Sequence, residues 1–382
     1  MDLTYTPGQI AFRAEVRAWM EAHAPRFSGL KTLECREGFD AHVAWERELA
    51  GGRWGMVTWP TEYGGRGLDL IRWLIFEEEY YRAGAPLRAN QNGIFLLGPT
   101  IMEHGAPEQK HRFLTPMANG KVMWAQAWSE PNAGSDLAAV RCKATRVGDY
   151  YVINGQKTWS SRAAFADWCF GLFRTDPDSK RHKGLSFILA PLDAPGVSVR
   201  PIRQLHGHTG FAEIFFDDVR VPVANRIADE GEGWNVAMAT AGFERGLMLR
   251  SPGRFQAAAK RLVELYRAHA DSAAPGVREA VIKAWTDAES YALNTYMIAA
   301  SIQAGGRIGA EASLNKIFWS ELDRSMHRAA MSLLGASAEL RPLSGANEWL
   351  EGYIFSLSGP IYAGSNEIQR NIVAERLLGL PR

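Results

Sequence analysis

The sequence predicts an α+β chain in three parts: a helical N-terminal domain, a central all-β domain and a C-terminal helical bundle. Three observations carry that prediction. Apolar residues recur at helical spacing up to about residue 120, short β-prone runs bounded by turn residues fill about 121 to 228, and helical spacing returns from Gly233. A chain of 382 residues is also too long for one simple core. The expected boundaries are 1–120, 121–229 and 230–382.

Taken in order, residues 7 to 24 read as a helix, with Phe12, Val16 and Trp19/Met20 on one face and Pro25 near its end. A second helix, about 38 to 51, carries Phe39, Val43, Trp45 and Leu49 and stops at Gly51 and Gly52. The Pro- and Gly-rich stretch Trp59 to Gly67 is a loop. A long helix follows with Ile71, Leu74 and Ile75 and the acidic cluster Glu77 to Glu79. Two further helical pieces lie between 90 and 120, separated at Gly105 to Pro107.

Met123 to Trp128 is a short apolar strand that breaks at Pro131 into a turn of small polar residues. Tyr150 to Ile153 is β-prone, Asn154-Gly155 is a turn signal, and Lys157 to Trp159 returns, which together predict a hairpin. Further strands are expected at Cys169–Phe173, Leu185–Ala190, Val197–Ile202 and Glu213–Val221, with Pro222 and Asn225 at the exit. The C-terminal helices are interrupted by a polar bend near 341 to 347.

Composition narrows the function. Hydrophobic residues make up 46% and charged residues 22%, the balance of an ordinary globular protein. Lys plus Arg number 43 against 42 Asp plus Glu, so nothing points to nucleic acid or a membrane surface. No apolar run is long enough to span a bilayer, and the N-terminus lacks the apolar core of a signal peptide. Cys35, Cys142 and Cys169 are too few for a disulfide framework and fit a reducing cytoplasm. His182, His206 and His208 lack acidic or cysteine partners at ligand spacing, so no metal is expected. The basic run Lys180 to Lys183 reads as a solvated hairpin tip, and His206 or His208 is a candidate substrate contact.

The residues that carry chemistry cluster between Trp124 and Ser161. Ser129 and Ser135 lie at one hydroxyl-rich end and Ser160 and Ser161 at another, each beside a tryptophan, Trp128 or Trp159. Flat aromatics beside hydrogen-bonding groups suit a planar, polar-edged cofactor. Gly134 gives a place where backbone can approach a ligand.

The run Ser129-Glu-Pro-Asn-Ala-Gly-Ser-Asp136, followed by Asn154-Gly-Gln-Lys157 and Trp159, resembles the signature of the acyl-CoA dehydrogenases. The resemblance extends from Trp59-Pro-Thr-Glu-Tyr-Gly-Gly65 to Glu367-Ile-Gln-Arg370 and implies the acyl-CoA dehydrogenase fold, with FAD as cofactor. The implied reaction converts an acyl-CoA to its 2,3-enoyl form: a carboxylate takes the α-proton, flavin N5 takes the β-hydride, and electrons pass to an electron-transfer flavoprotein. An oxidase of the same fold and a non-catalytic partner subunit are the alternatives.

Residue by residue, the resemblance implies that Gln126, Trp128 and Ser129 border the flavin pyrimidine and that Trp159 and Ser161 lie along its N5 side. Ser135 falls between the flavin phosphates and the CoA arm, with Gly134 beside it among the cofactor-binding residues, and Ser135 and Arg245 also lie toward substrate. Ser365 and Glu367 open the last helix, where amides favour pyrophosphate. Position 363, where some branches carry the catalytic Glu, is alanine. Other branches place the base on a helix after the β-domain, and Gly242-Phe-Glu-Arg245 matches there. On that helix Glu244 shares a face with Ala237, Ala241 and Met248. Glu244 is therefore the expected base, with Ala363 offering its backbone N–H to the thioester carbonyl. One such donor is worth about 3 kcal/mol.

Two family elements that grip the adenosine half of FAD are missing. Tyr266 to Gly276 has no Arg followed three residues later by Phe and then Gly, and Ser332-Leu-Leu-Gly-Ala-Ser-Ala338 replaces a glycine-rich turn. That combination resembles the α-type subunits of heteromeric acyl-CoA dehydrogenases acting on steroid side chains and other bulky acyl groups. It implies a tetramer of α2β2 type, in which a second acyl-CoA dehydrogenase-like subunit completes the cofactor site.

Overall fold

The computed structural model describes residues 4–245, 250–306, 309–340 and 348–381, and the side chains of Glu244, Arg245 and Ser272 lie outside that description. The polar bend expected at 341 to 347 also lies outside the described residues. The chain divides into two compact units. A helical unit comprises Met1–Pro25, Leu68–Ala85 and Arg245–Arg382; a sheet unit comprises Arg26–Gly67 and Pro86–Glu244.

The helical unit begins with α1 (Pro7–His23). Thr6 caps it: the Gln9 amide donates to Thr6 Oγ1 at 3.3 Å and the Thr6 amide donates to Gln9 Oε1 at 2.9 Å, with Pro7 at the first helical position. Phe12, Val16 and Met20 are buried, while Trp19 is half-buried and stacks on His23. The acidic run on α3 (Leu70–Arg82) is fully partnered. Glu79 accepts from Arg17 at 3.0 and 2.8 Å and from Arg82 at 2.6 Å, and Glu78 accepts from Arg13 and from Tyr296. The core of this unit is built by α7 (Pro252–His269), α8 (Val277–Gln303) and α9 (Ala312–Leu334), through Phe255, Leu262, Ala288, Tyr291, Trp319 and Met326. Two shorter helices, α10 (Glu348–Ser356) and α11 (Asn366–Arg376), complete it.

The sheet unit holds α2 (Arg36–Gly51), a π-helical turn Asn92–Leu97 running into α4 (Gly98–His104), α5 (Pro107–Ala118) and eight strands. The strands are β1 (Trp124–Ala127), β2 (Lys143–Val147), β3 (Tyr150–Ser161), β4 (Trp168–Arg174), β5 (Leu185–Pro191), β6 (Val197–Ile202), β7 (Phe211–Pro222) and β8 (Arg226–Ile227). Their order is β6-β7-β3-β2-β4-β5-β8, with β1 alongside β4 in parallel. Alternation decides the faces: Tyr151 and Ile153 on β3 and Ala212, Ile214 and Phe216 on β7 point into one core. The helix α6 (Gly233–Arg245) follows the sheet.

Asn154-Gly155 is not a hairpin turn. The strand β3 runs unbroken for 12 residues, and the pairing with β7 shifts register between Ile153 and Gly155. The dipeptide is a bulge, stabilised across the ladder: Asn154 Nδ2 donates to Asp218 Oδ1 and the Asp218 amide donates to Asn154 Oδ1, each at 2.9 Å. Gly155 has φ +141°, and a Cβ there would meet Cys142 Sγ at 2.7 Å, so only glycine fits. The tight turn lies earlier, at Gly148-Asp149, between β2 and β3.

The segment 180–183 joins β4 to β5 with its side chains exposed. All three cysteines are free, and burial pushes the Cys142 and Cys169 thiols up to about 12. No helix among the described residues is long and apolar enough to cross a membrane.

Candidate active site

Strand β1 is anchored from below by a buried charge pair. Arg88 donates to Glu46 Oε2 at 2.9 and 2.8 Å, with both side chains 4% exposed. The Asn90 amide donates to the other Glu46 oxygen, and Asn90 Oδ1 accepts from the Trp124 amide at 3.1 Å. The first residue of β1 is thus fixed to α2 through two hydrogen bonds that meet at Asn90.

At the other end of β1, Lys157 does the holding. Its side chain is fully buried, and Nζ donates to Leu172 O at 2.6 Å, Glu130 Oε1 at 2.8 Å and Trp128 O at 3.2 Å. Glu130 accepts in turn from the Arg141 and Cys142 amides at 2.7 and 2.9 Å. The Thr158 amide donates to Ser129 O at 2.9 Å. Trp128 and Ser129 therefore lie beside Lys157 and Thr158, and the turn after β1 is pinned by an ion pair whose every polar atom has an acceptor or donor. The sequence reading gave Lys157 no role. A cation among β-prone neighbours, with the acids Glu130 and Asp136 inside the other motif, was the available signal.

Breaking this pair leaves Glu130 buried without its counter-charge. The variant Lys157→Met is expected to lose about 3 kcal/mol of stability and to hold flavin less tightly. Urea unfolding and flavin content measure both, and a stability change near zero would show that the pair does not hold the turn.

On this frame the polar atoms aimed at no protein partner are informative. Gln126 Nε2 and Trp128 Nε1 are buried and make no hydrogen bond among the described residues. Trp159 sits at a second register shift of β3, with φ +58°, and is 59% exposed, its ring edge-on to Phe211 at 6.0 Å. A tryptophan in the left-handed region costs about 1–3 kcal/mol and persists where surrounding structure enforces it. Ser161 is half-buried at the end of β3, Ser129 is half-buried, and Gly134 and Ser135 are exposed with open space around the Gly134 α-carbon. An exposed flat ring with orphaned amide and indole N–H groups in the same unit fits a planar group with acceptor atoms along its edge.

In the helical unit, Ala363 has φ +56° and Gly364 follows at +76°. The Ala363 carbonyl accepts from Gln369 Nε2 at 3.2 Å, and its N–H donates to no acceptor among the described residues. The loop is clamped by Asn366, which bonds Lys316, Ser320 and Glu321. Ser365 caps α11, accepting from the Ile368 amide at 3.4 Å. Glu367 is exposed in the first turn, its carboxyl held below the usual range by its own backbone N–H and then by the Ser365 hydroxyl. Glu244 and Arg245 close α6; their side chains lie outside the described residues, while Ala237 and Ala241 earlier on the helix are buried. His206 Nε2 lies 3.4 Å from Glu34 Oε2, and among the described residues no group of three or more possible ligands could hold a metal.

Three family profiles match the chain in succession: the acyl-CoA dehydrogenase N-terminal domain over residues 6–121, the middle domain over 125–219 and the C-terminal domain over 231–378. The chain belongs to the acyl-CoA dehydrogenase family. That family binds FAD, and the wall of Gln126, Trp128 and Trp159 fits such a group. Acyl-CoA dehydrogenase IpdE1 of Mycolicibacterium smegmatis is 43% identical over 390 residues, covering 97% of each chain. Among solved structures, the Tcur3481-Tcur3483 steroid ACAD superposes with a TM-score of 0.87 at 29% identity, covering 100% of both chains. The ChsE4-ChsE5 complex from Mycobacterium tuberculosis does so with a TM-score of 0.83 at 33% identity, again over 100% of both chains.

Proposed function

We propose that this acyl-CoA dehydrogenase oxidises a bulky acyl-CoA to its 2,3-enoyl-CoA, on a long, branched or polycyclic acyl group of the steroid side-chain kind. The observation that carries the reading is the wall of the sheet unit, where Gln126 Nε2 and Trp128 Nε1 are buried without partners among the described residues, beside a turn locked by Lys157. Gln126, Trp128, Ser129, Trp159 and Ser161 hold the isoalloxazine, and Gly134, Ser135, Ser365 and Glu367 lie along the phosphates. When bound, FAD supplies the hydride acceptor. Glu244 takes the α-proton, a role assigned by the family resemblance and by the alanine at position 363. The N–H of Ala363, unengaged among the described residues, donates to the thioester carbonyl and stabilises the charge that develops there. Ser135 and Arg245 contact substrate.

The parts 1–120, 121–229 and 230–382 are the domains of this reading. The enzyme is cytoplasmic, passes electrons to an electron-transfer flavoprotein and works in an α2β2-type tetramer with a second subunit of the same family. Similarity to a steroid ACAD and to the ChsE4-ChsE5 complex supports the acyl class and the assembly. So does an apolar face on the helical unit: Ile282, Trp285, Leu293 and Met297 on α8 and Leu314 and Phe318 on α9 are all exposed. The alternative, a non-catalytic partner subunit, is motivated by the alanine at 363 together with the missing adenosine-site elements at 266–276 and 332–338. Anaerobic mixing with an acyl-CoA panel is expected to bleach the flavin absorbance, with little peroxide released in air. Stoichiometric peroxide would make the enzyme an oxidase, and no bleaching with any acyl-CoA would remove the catalytic reading.

A further inference from the structure

We propose that Arg250 reads an oxygen on the acyl group, so that the substrate carries a carbonyl or carboxylate oxygen away from its thioester. This rests on the dehydrogenase reading above. In the helical unit the Arg250 guanidinium carbon lies 4.8 Å from the Trp319 ring centroid and 5.4 Å from that of Tyr362. The two rings are 5.9 Å apart with 31° between their planes. The residue after Tyr362 is Ala363, whose N–H takes the thioester carbonyl. The backbone at the other end is fixed as well, because the Arg250 carbonyl accepts from the Tyr291 hydroxyl at 2.9 Å.

Ring faces hold a guanidinium without using its five N–H donors. Among the described residues the Arg250 guanidinium makes no hydrogen bond and no ion pair, although the residue is half-buried. Its acidic neighbour, Asp323, is committed elsewhere: Oδ1 lies 3.3 Å from His327 Nδ1 and Oδ2 lies 3.9 Å from Arg254 Nη2. A cation clamped by aromatics and short of an acceptor gains nothing from a plain alkyl chain, whereas an acceptor oxygen would form charge-assisted hydrogen bonds with it.

The test uses the assembled, FAD-loaded enzyme and two matched pairs: octanoyl-CoA with suberyl-CoA, and cyclohexylpropanoyl-CoA with its ring-ketone analogue. In at least one pair the oxygenated member is expected to have a kcat/KM about tenfold or more above the plain member. Arg250→Met should cut that ratio by about tenfold or more, the range for a charge-assisted bond, and Arg250→Lys should keep part of it. The pair that responds tells a ketone from a carboxylate. Preference for the plain member of both pairs, or equal losses on both members in Arg250→Met, overturns the proposal and leaves the dehydrogenase reading intact. Should Arg250→Met fail to fold, the wild-type ratios and the Lys variant decide. If no acyl-CoA of either kind reduces the flavin, the dehydrogenase reading itself falls, and this inference with it.

Discussion

Replacing Glu244 by Gln is expected to slow flavin reduction by acyl-CoA roughly a thousandfold, in the middle of the range for losing a positioned general base. The substitution keeps volume and removes only the ability to accept a proton. Flavin content and substrate affinity should therefore stay near wild type while the first-order rate of anaerobic bleaching collapses. Within the family resemblance, position 363 is alanine, with a short side chain that cannot take a proton, and α6 ends in Gly242-Phe-Glu-Arg245. Rates equal to wild type would remove Glu244 from the chemistry and favour a partner-subunit role for this chain.

Expressed alone, the chain is expected to hold well below one flavin per polypeptide, and co-expression with a second acyl-CoA dehydrogenase-like subunit should restore it. In the proposed site, the turn after β1 is locked by Lys157 and the start of the strand by Asn90. The deficit lies at the phosphate and adenosine end. A missing arginine forfeits a charge-assisted contact worth about 1.5–3 kcal/mol, which is ten- to a hundredfold in affinity. Glu367 adds a carboxylate to the first turn of α11, where it already satisfies the positive end of that helix, and its lowered pKa keeps it ionised at neutral pH. In Ser332 to Ala338, α9 gives way to a short turn over Gly335–Glu339 with Ala338 buried. Absorbance of the purified lone chain provides the measurement; a stoichiometric flavin spectrum would reject the shared-site reading.

Much of the architecture was legible because it is written in local periodicity. The helix over Pro7–His23 follows from Thr6, Pro7 and Gln9 at its start and from Phe12, Val16 and Met20 along one face. Strands β4 to β7 follow from β-prone runs between Gly, Pro and Asp residues. The runs from Ser129 to Asp136 and from Asn154 to Trp159 were legible as family motifs, and the three family profiles bear the family out.

What failed did so where partners distant in sequence outvote local preference. Asn154-Gly155 carries the turn signal, yet β7 pairs along the whole of β3, and the Asn154 side chain bonds Asp218 across the resulting bulge. Glu78 and Glu79 read as an acidic run on one helix, and their meaning came from Arg13, Arg17 and Tyr296, the last more than 200 residues away by sequence.

By itself, the sequence determined the family and the order of helical and β segments, because those depend on short-range pattern. Only the tertiary structure decided that Lys157 is a buried clamp rather than a surface cation, that Trp159 stands exposed in a strained bulge, and that Arg250 lies against Trp319 and Tyr362. The physical reason is common to all three. Burial, ion pairing and backbone strain are set by which distant atoms arrive nearby, and no local pattern encodes that.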